Sequence, residues 1–125
     1  MRLIIGGTHA GKRAYAAETY HIPTEEMADG ALADPAKVPA LRCVYNFHLL
    51  VRRLRQAGQD PAAYAQALGA TKLVVIMDET GCGVVPIQQD ERLWREDVGR
   101  AGCVLARQAQ SVERVACGLP IKLKG

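Results

Sequence analysis

The stretch "RLIIGGTHAGKR", residues 2–13, constrains the fold more than any other part of the sequence. Its short apolar run ends at two glycines, as a buried strand entering a tight turn would. An Ala-rich segment without proline follows from 11 to 20 and predicts a helix. The spacing of Gly6, Gly11 and Lys12 fits the pattern G-x-x-x-x-G-K-[ST], in which backbone N–H groups and the lysine surround phosphates. The opening residues therefore predict a nucleotide site between a strand and a helix.

The last position of this motif departs from the pattern, because Arg13 replaces the Ser or Thr whose hydroxyl binds Mg²⁺. A guanidinium group contacts phosphate oxygens through its N–H donors but cannot ligate a cation. We therefore expect phosphate binding that depends little on Mg²⁺. The alternative is a glycine-rich strand-to-helix turn that only resembles the motif. The predicted nucleotide-binding residues are Gly6, Gly7, Thr8, His9, Ala10, Gly11, Lys12 and Arg13.

Composition narrows the class of protein. Hydrophobic residues make up 49% of the 125 positions and charged residues 23%, which favours a single globular domain over residues 1–125. The net charge of +3 comes without a long basic run, so nucleic-acid binding is not indicated. No apolar stretch has the length of a signal sequence or a membrane span, so we expect a cytoplasmic protein with no membrane partner. The four cysteines have no C-x-x-C or zinc spacing and are interpreted as reduced thiols.

Helices and strands alternate along the rest of the chain. Segment 22–40 carries three prolines and predicts an irregular connection or a short helix around 25–27. One helix over 43–55 is predicted because Val44, Phe47, Val51 and Leu54 recur at helical spacing. Further helices are predicted at 60–69 and 90–112, and strands at 73–77, 114–117 and 121–123. This order predicts a three-layer α/β fold of the P-loop type, with a mostly parallel central sheet flanked by helices.

Two acids, Asp78 and Glu79, end the apolar run at 73–77. Nucleotide-binding folds often place an acid there, where it holds Mg²⁺ or positions a nucleophile. Many parallel strands also end in an acid for solubility or capping, which is the alternative interpretation. Ligands of open parallel sheets bind beyond the carboxyl ends of the strands. We therefore expect this strand to lie parallel beside the first one, with Lys12 and Glu79 facing the same crevice.

Three segments together carry a family resemblance. They are the opening loop "GGTHAGKR", the tail "ERVACGLPIKLKG", and the run Glu79-x-Gly81-x-Gly83-Val84-Val85-Pro86 followed by Arg95 and Gly99-Arg100. In combination they resemble the adenosylcobinamide kinase and adenosylcobinamide-phosphate guanylyltransferase family. The resemblance covers residues 1–20 and 72–125, and the helix around 43–55 more loosely.

The resemblance implies a function and a set of site residues. Members of that family are small P-loop proteins that tend to form trimers. They use a nucleoside triphosphate to phosphorylate a corrinoid side-chain hydroxyl and then transfer a guanylyl group to it. By resemblance, the cofactor is GTP or ATP with Mg²⁺, a corrinoid is a partner, and the chain is a homo-oligomer. Lys12 and Glu79 would be catalytic, Glu79 would also bind the metal, and Asp78, Gly81 and Gly83 would contact the substrate.

One family element has no counterpart in this sequence. The family's guanylyl-accepting histidine lies in a strand and helix that would fall between Ile22 and Ala40, where this chain has no histidine. His21 and His48 do not stand in an Arg-His-x-x-x-Arg setting, and each is interpreted as a hydrogen-bonded or exposed helical histidine, because the sequence identifies no partner acid. The chain is therefore predicted to be a kinase-type phosphotransferase that has lost the guanylyl-carrier segment. The alternatives are a non-catalytic nucleotide- or corrinoid-binding regulatory or assembly module, and a remnant with an empty loop.

Overall fold

The structure is a computed structural model that describes residues 1–79 and 88–125. Six strands form one sheet: β1 (Arg2–Gly6), β2 (Met27–Asp29), β3 (Cys43–Tyr45), β4 (Val74–Asp78), β5 (Ser111–Ala116) and β6 (Leu119–Lys124). Four α-helices accompany it: α1 (Lys12–Thr19), α2 (Phe47–Gln56), α3 (Pro61–Ala67) and α4 (Gln89–Gln108). Within the described ranges, no helix is both long and apolar enough to cross a membrane.

The strand order is β2-β3-β4-β1-β5-β6, and every neighbouring pair except the last is parallel. The strand that enters the glycine loop is thus flanked by β4 and β5, with Leu3 aligned to Val75 on one side and to Val112 on the other. The terminal strand β6 pairs antiparallel with β5 through a short turn. This arrangement confirms the predicted α/β fold with a mostly parallel sheet, and it confirms that 73–77 lies beside β1.

Both faces of the sheet are covered, which produces the three layers. Side chains alternate between faces along a strand. Leu3 points to the face that carries α2, α3 and α4, where it packs with residues such as Phe47 and Leu105. Ile4 points to the other face, where it packs with Ala16 of α1. Continuous apolar strands such as β4 follow from this burial on both sides.

The predicted helix over 43–55 is wrong at its start. Residues Cys43–Tyr45 form β3, and Val44 pairs with Val75 of β4 in a parallel ladder. The helix begins only at Phe47, after Asn46 adopts a left-handed conformation with φ of 55°. Helical spacing alone could not separate a three-residue buried strand from the helix that follows it.

Segment 22–40 contains one element that the sequence prediction missed. A 3₁₀ turn at Thr24–Glu26 corresponds to the predicted short helix, and a second 3₁₀ turn covers Val38–Ala40. Between them, β2 (Met27–Asp29) adds an edge strand to the sheet. Its three residues carry no apolar run, so only its pairing with β3 identifies it as a strand.

The end of the long helix also differs from the prediction. Helix α4 ends at Gln108 rather than near Val112, because Val112 is aligned with Leu3 in the ladder between β1 and β5. The two predicted tail strands are confirmed, and both are longer than expected. The predicted helix at 60–69 is present as α3, and Asp60 caps it, since its side chain accepts a hydrogen bond from the Ala62 N–H.

Candidate functional site

The glycine loop connects β1 to α1 and is shaped by close backbone approaches. A Cβ atom at Gly6 would lie 2.4 Å from the Val115 carbonyl oxygen of β5, so only glycine fits there. Gly11 has a φ of 89°, a left-handed conformation that glycine adopts without steric cost. The turn between β5 and β6 supports the loop from the side, because the Gly118 N–H donates to the Ala10 carbonyl at 2.9 Å.

Helix α1 begins at Lys12 with no side chain capping its first N–H groups. Unsatisfied N–H groups and the helix dipole make such an N-terminus favourable for anions. Lys12 itself is buried, and its Nζ donates to the Gly7 carbonyl at 2.6 Å and pairs with Asp78 Oδ1 at 2.7 Å. The loop thus combines a buried ammonium group with a helix N-terminus that has no side-chain cap, and both features favour a phosphate group.

Asp78 is held in place by three neighbours at the end of β4. Its Oδ1 faces Lys12, and its Oδ2 accepts a hydrogen bond from the Thr8 hydroxyl at 2.9 Å. Its backbone N–H donates to Nδ1 of buried His48 at 3.1 Å. Burial by itself would raise the pKa of Asp78, but the hydrogen bonds from Lys12 and Thr8 and the nearby positive charges outweigh it and lower that pKa. Asp78 is therefore an ionised partner of Lys12 in this arrangement.

Glu79 points elsewhere. Its carboxylate pairs with Arg114 of β5 at 3.0 Å, and its backbone N–H donates to the Gly6 carbonyl at 2.9 Å. The residue borders an apolar groove beside α4 rather than the cavity at the glycine loop. The structure thus brings Asp78, and not Glu79, against Lys12. The predicted substrate residues Gly81 and Gly83 lie outside the described residues.

A cavity of about 600 Å³ opens at the carboxyl ends of the strands. One wall is the loop from Thr8 to Ala14, and the opposite wall consists of Asp29, Tyr45 and Asn46, with Asp78 between them. Six of the eight predicted nucleotide-binding residues, Thr8 to Arg13, line this cavity, while Gly6 and Gly7 precede it in the chain. Its position agrees with the rule that ligands of parallel sheets bind beyond the carboxyl ends of the strands.

Arg13 lies at the mouth of this cavity. Its guanidinium carbon is 4.4 Å from the centroid of the Tyr45 ring, a distance typical of a cation–π contact. The described residues do not complete a Mg²⁺ site: Arg13 offers no oxygen, Asp78 is paired with Lys12, and Asp29 lies on the opposite wall of the cavity. No group of three His, Cys, Asp or Glu side chains suited to a metal occurs in the described parts of the chain.

Comparison with known proteins identifies a family that matches this chain. The family model for cobinamide kinase / cobinamide phosphate guanyltransferase matches residues 42–123, about two thirds of the chain. The chain belongs to this family. No curated protein matched the sequence. Membership assigns the chain a function related to cobinamide kinase and guanyltransferase in cobalamin biosynthesis, a process in which the family uses nucleoside triphosphates and corrinoids.

The glycine loop precedes the matched stretch. Its interpretation as a phosphate-binding loop in this cobinamide kinase relative therefore depends on the geometry at Lys12 and Asp78. The match does include β3, β4, α4 and the tail strands, which contribute Asp78 and the supporting turn at Gly118. The loop and the matched region therefore meet at Lys12 and Asp78.

The sequence analysis did not predict three residues of the site. His48 was interpreted as an ordinary helical histidine, but its ring contacts the backbone of Asp78, and its Nε2 lies 3.6 Å from Asp78 Oδ2. Burial lowers the pKa of His48, with Asp78 opposing this and Lys12 adding to it. Asp29 and Tyr45 end the strands β2 and β3, which the analysis did not predict. The dipeptide Asp29-Gly30, a turn signal, was the one local indication that a strand ended there.

Proposed function

We propose that this member of the cobinamide kinase family binds GTP or ATP at the loop from Gly6 to Arg13 and transfers the terminal phosphoryl group to a corrinoid hydroxyl. The observation that carries the proposal is the buried Lys12, which begins α1 where no side chain caps the helix and whose ammonium is paired with Asp78 at 2.7 Å. Backbone donors and a lysine are the parts that P-loop phosphotransferases use to stabilise charge on the transferred group.

Each side chain then has a defined task. Lys12 exchanges its contact with the Gly7 carbonyl for a phosphate oxygen, and Asp78 keeps the ammonium oriented toward the loop. His48 and Thr8 hold Asp78 from its backbone and its second oxygen. Gly81 and Gly83 stay proposed substrate contacts, and Glu79, which is paired with Arg114, stays a proposed catalytic residue.

The proposal assigns no guanylyl-carrier role to this chain. Segment 22–40 lacks histidine and is occupied by β2 and two 3₁₀ turns. His21 follows α1 in a left-handed conformation with φ of 54°, and its carbonyl accepts a hydrogen bond from Arg42. His48 is buried with Nδ1 already bonded to the Asp78 N–H. Neither of these two imidazoles combines exposure with a position in the cavity, and His9, which is exposed and lines it, belongs to the loop proposed to bind phosphates.

A non-catalytic nucleotide- or corrinoid-binding module is the second candidate. Arg13 favours it, because replacing the hydroxyl removes the residue that would hold Mg²⁺ close to the phosphates. Binding without transfer separates this candidate from the first one.

We further propose that the chain forms a homo-oligomer, a trimer by family resemblance, in the cytoplasm. The edge strand β6 supports the oligomer, since Leu119, Ile121 and Leu123 are 70%, 51% and 56% exposed on it. Exposed apolar side chains on an edge strand are characteristic of surfaces that pair or associate. Free thiols at Cys43, Cys103 and Cys117 suit a reducing compartment.

Calorimetric titration tests the proposed function. GTP, ATP and their diphosphates are titrated with Mg²⁺ and with EDTA, and adenosylcobinamide phosphorylation is followed with γ-labelled nucleotide. We expect binding in both media and labelled product in the presence of the corrinoid. Binding without any labelled product would favour the non-catalytic module, and absence of binding would contradict both nucleotide-based candidates.

A further inference from the structure

The wall of the cavity opposite the glycine loop holds a carboxylate that the proposed function has not used. Asp29 is the last residue of β2 and lines the cavity together with Tyr45 and Asn46. Its Oδ1 accepts hydrogen bonds from the Ala31 N–H at 2.9 Å and from the Asn46 side-chain amide at 3.0 Å. These two donors fix the plane and direction of the carboxylate through one oxygen.

The second oxygen of Asp29 is free to accept a proton. Within the described ranges, Oδ2 has no hydrogen-bond or ion-pair partner, although the side chain is half-buried at the cavity wall. The turn behind it is braced, since Arg53 donates to the carbonyls of Gly30 and Ala33 at 2.8 Å each. An oriented carboxylate on a braced turn, with one free oxygen, is the arrangement expected of a preorganised base.

The position of Asp29 suits the acceptor side of a phosphoryl transfer. Two strand spacings separate β2 from β4, and the ladder places Asp29 level with Ile76, two residues before Asp78, so the Cα atoms of Asp29 and Asp78 are about 12 Å apart. Phosphates would contact Lys12 and the glycine loop on one side of the cavity, and an acceptor hydroxyl would approach from the other side, where Asp29 lies. Phosphates bound at Lys12 and a hydroxyl bound at Asp29 therefore fit into the same cavity.

We infer that Asp29 is the catalytic residue that accepts the proton of the acceptor hydroxyl, an assignment that rests on the proposed function. The hydroxyl oxygen forms a bond to the terminal phosphorus, and the bond from that phosphorus to its bridging oxygen breaks. The nucleoside diphosphate leaves with those electrons, and the hydroxyl proton passes to Asp29 Oδ2. Carboxylates that accept a substrate hydroxyl proton in this way occur in kinase active sites.

The test uses the full chain with GTP and adenosylcobinamide. Asp29→Asn retains an oxygen for the Ala31 and Asn46 hydrogen bonds and replaces only the free oxygen by an amide, which cannot take up the proton. Asp29→Ala removes both features. Asp34→Asn is the matched control, since Asp34 forms the same kind of turn with the Ala36 N–H at 3.0 Å but is exposed and outside the cavity.

We expect Asp29→Asn to lower kcat by about 100-fold to 10,000-fold, with GTP affinity and thermal midpoint unchanged. Asp34→Asn should match the unsubstituted protein. The assignment is overturned if Asp29→Asn keeps kcat within threefold, or if it loses GTP affinity and stability together, as a turn-supporting residue would. If the unsubstituted chain binds GTP but forms no phosphorylated product, the proposed transfer is wrong, and the role of Asp29 is wrong with it.

Discussion

Arg13 is expected to suppress the use of Mg²⁺ at this site. Substituting Arg13→Ser restores the hydroxyl of the motif and removes a positive charge beside the predicted phosphates. A unit charge 5 Å from a divalent cation is repelled by about 1.7 kcal/mol in water, the appropriate limit for this exposed side chain. Salt at physiological strength reduces that energy to roughly half. Arg13→Ser should therefore increase the gain in GTP affinity produced by Mg²⁺ by about fivefold to twentyfold.

The assay is calorimetric titration of GTP in Mg²⁺ and in EDTA, for the unsubstituted protein, Arg13→Ser and Arg13→Ala. The alanine variant removes the charge without supplying a ligand, so it separates repulsion from coordination. Both variants lose the contact with Tyr45, which costs about 0.5 to 1 kcal/mol of folding stability at an exposed site. The reasoning is refuted if the unsubstituted protein already gains tenfold or more from Mg²⁺ and Arg13→Ser adds nothing.

Three further predictions concern stability and covalent chemistry. Asp78→Asn should cost about 1 to 2 kcal/mol at neutral pH. Because folding lowers the pKa of Asp78, this difference from the unsubstituted protein should begin to shrink near the usual value of 3.8 and continue to shrink as pH falls toward the lower pKa of the folded state. Urea titrations from pH 7 to pH 3 check this, and a difference that is as large at pH 3 as at pH 7 would contradict it. Gly6→Ala should lower the free energy of unfolding by about 1 to 3 kcal/mol, because the added Cβ would lie 2.4 Å from a backbone oxygen. Gly7→Ala is the control, since its Cβ would meet nothing within 4 Å. Equal losses of unfolding free energy for the two variants in denaturant titrations would show that the packing argument is wrong. Incubation with GTP and Mg²⁺ should leave the intact mass unchanged, and a gain of one GMP mapped to His21 or His48 would show that the guanylyl carrier is retained.

The sequence predicted the parts of the fold that have long or sharply bounded patterns. The glycine loop between β1 and α1, and the apolar run of β4, carry their own signals and needed no tertiary information. The short strands β2 and β3 did not, because three residues show no period that separates a strand from a helix or a loop. Their strand character comes from pairing with each other and with β4.

The candidate site likewise contains residues that the sequence predicts and residues that it does not. The sequence predicts that Lys12 and Glu79 face the same crevice, whereas the structure pairs Lys12 with the preceding acid, Asp78, and pairs Glu79 with Arg114. His48 accepts a hydrogen bond from the Asp78 N–H because α2 packs on the end of β4. No local sequence pattern predicts that packing. Asp29 is identified as a cavity residue only from the pairing of β2 with β3, which no local sequence pattern predicts.

Binding of GTP through Lys12 is the central claim, and one titration tests it most directly. GTP is titrated in EDTA into the unsubstituted protein, into Lys12→Met, and into Lys72→Met, whose lysine is exposed and outside the loop cavity. A charge-assisted hydrogen bond contributes about 1.5 to 3 kcal/mol, so Lys12→Met should weaken GTP binding by about tenfold to a hundredfold. Lys72→Met should leave the affinity unchanged. Equal affinity in all three proteins, or no GTP binding by the unsubstituted chain, would contradict the account.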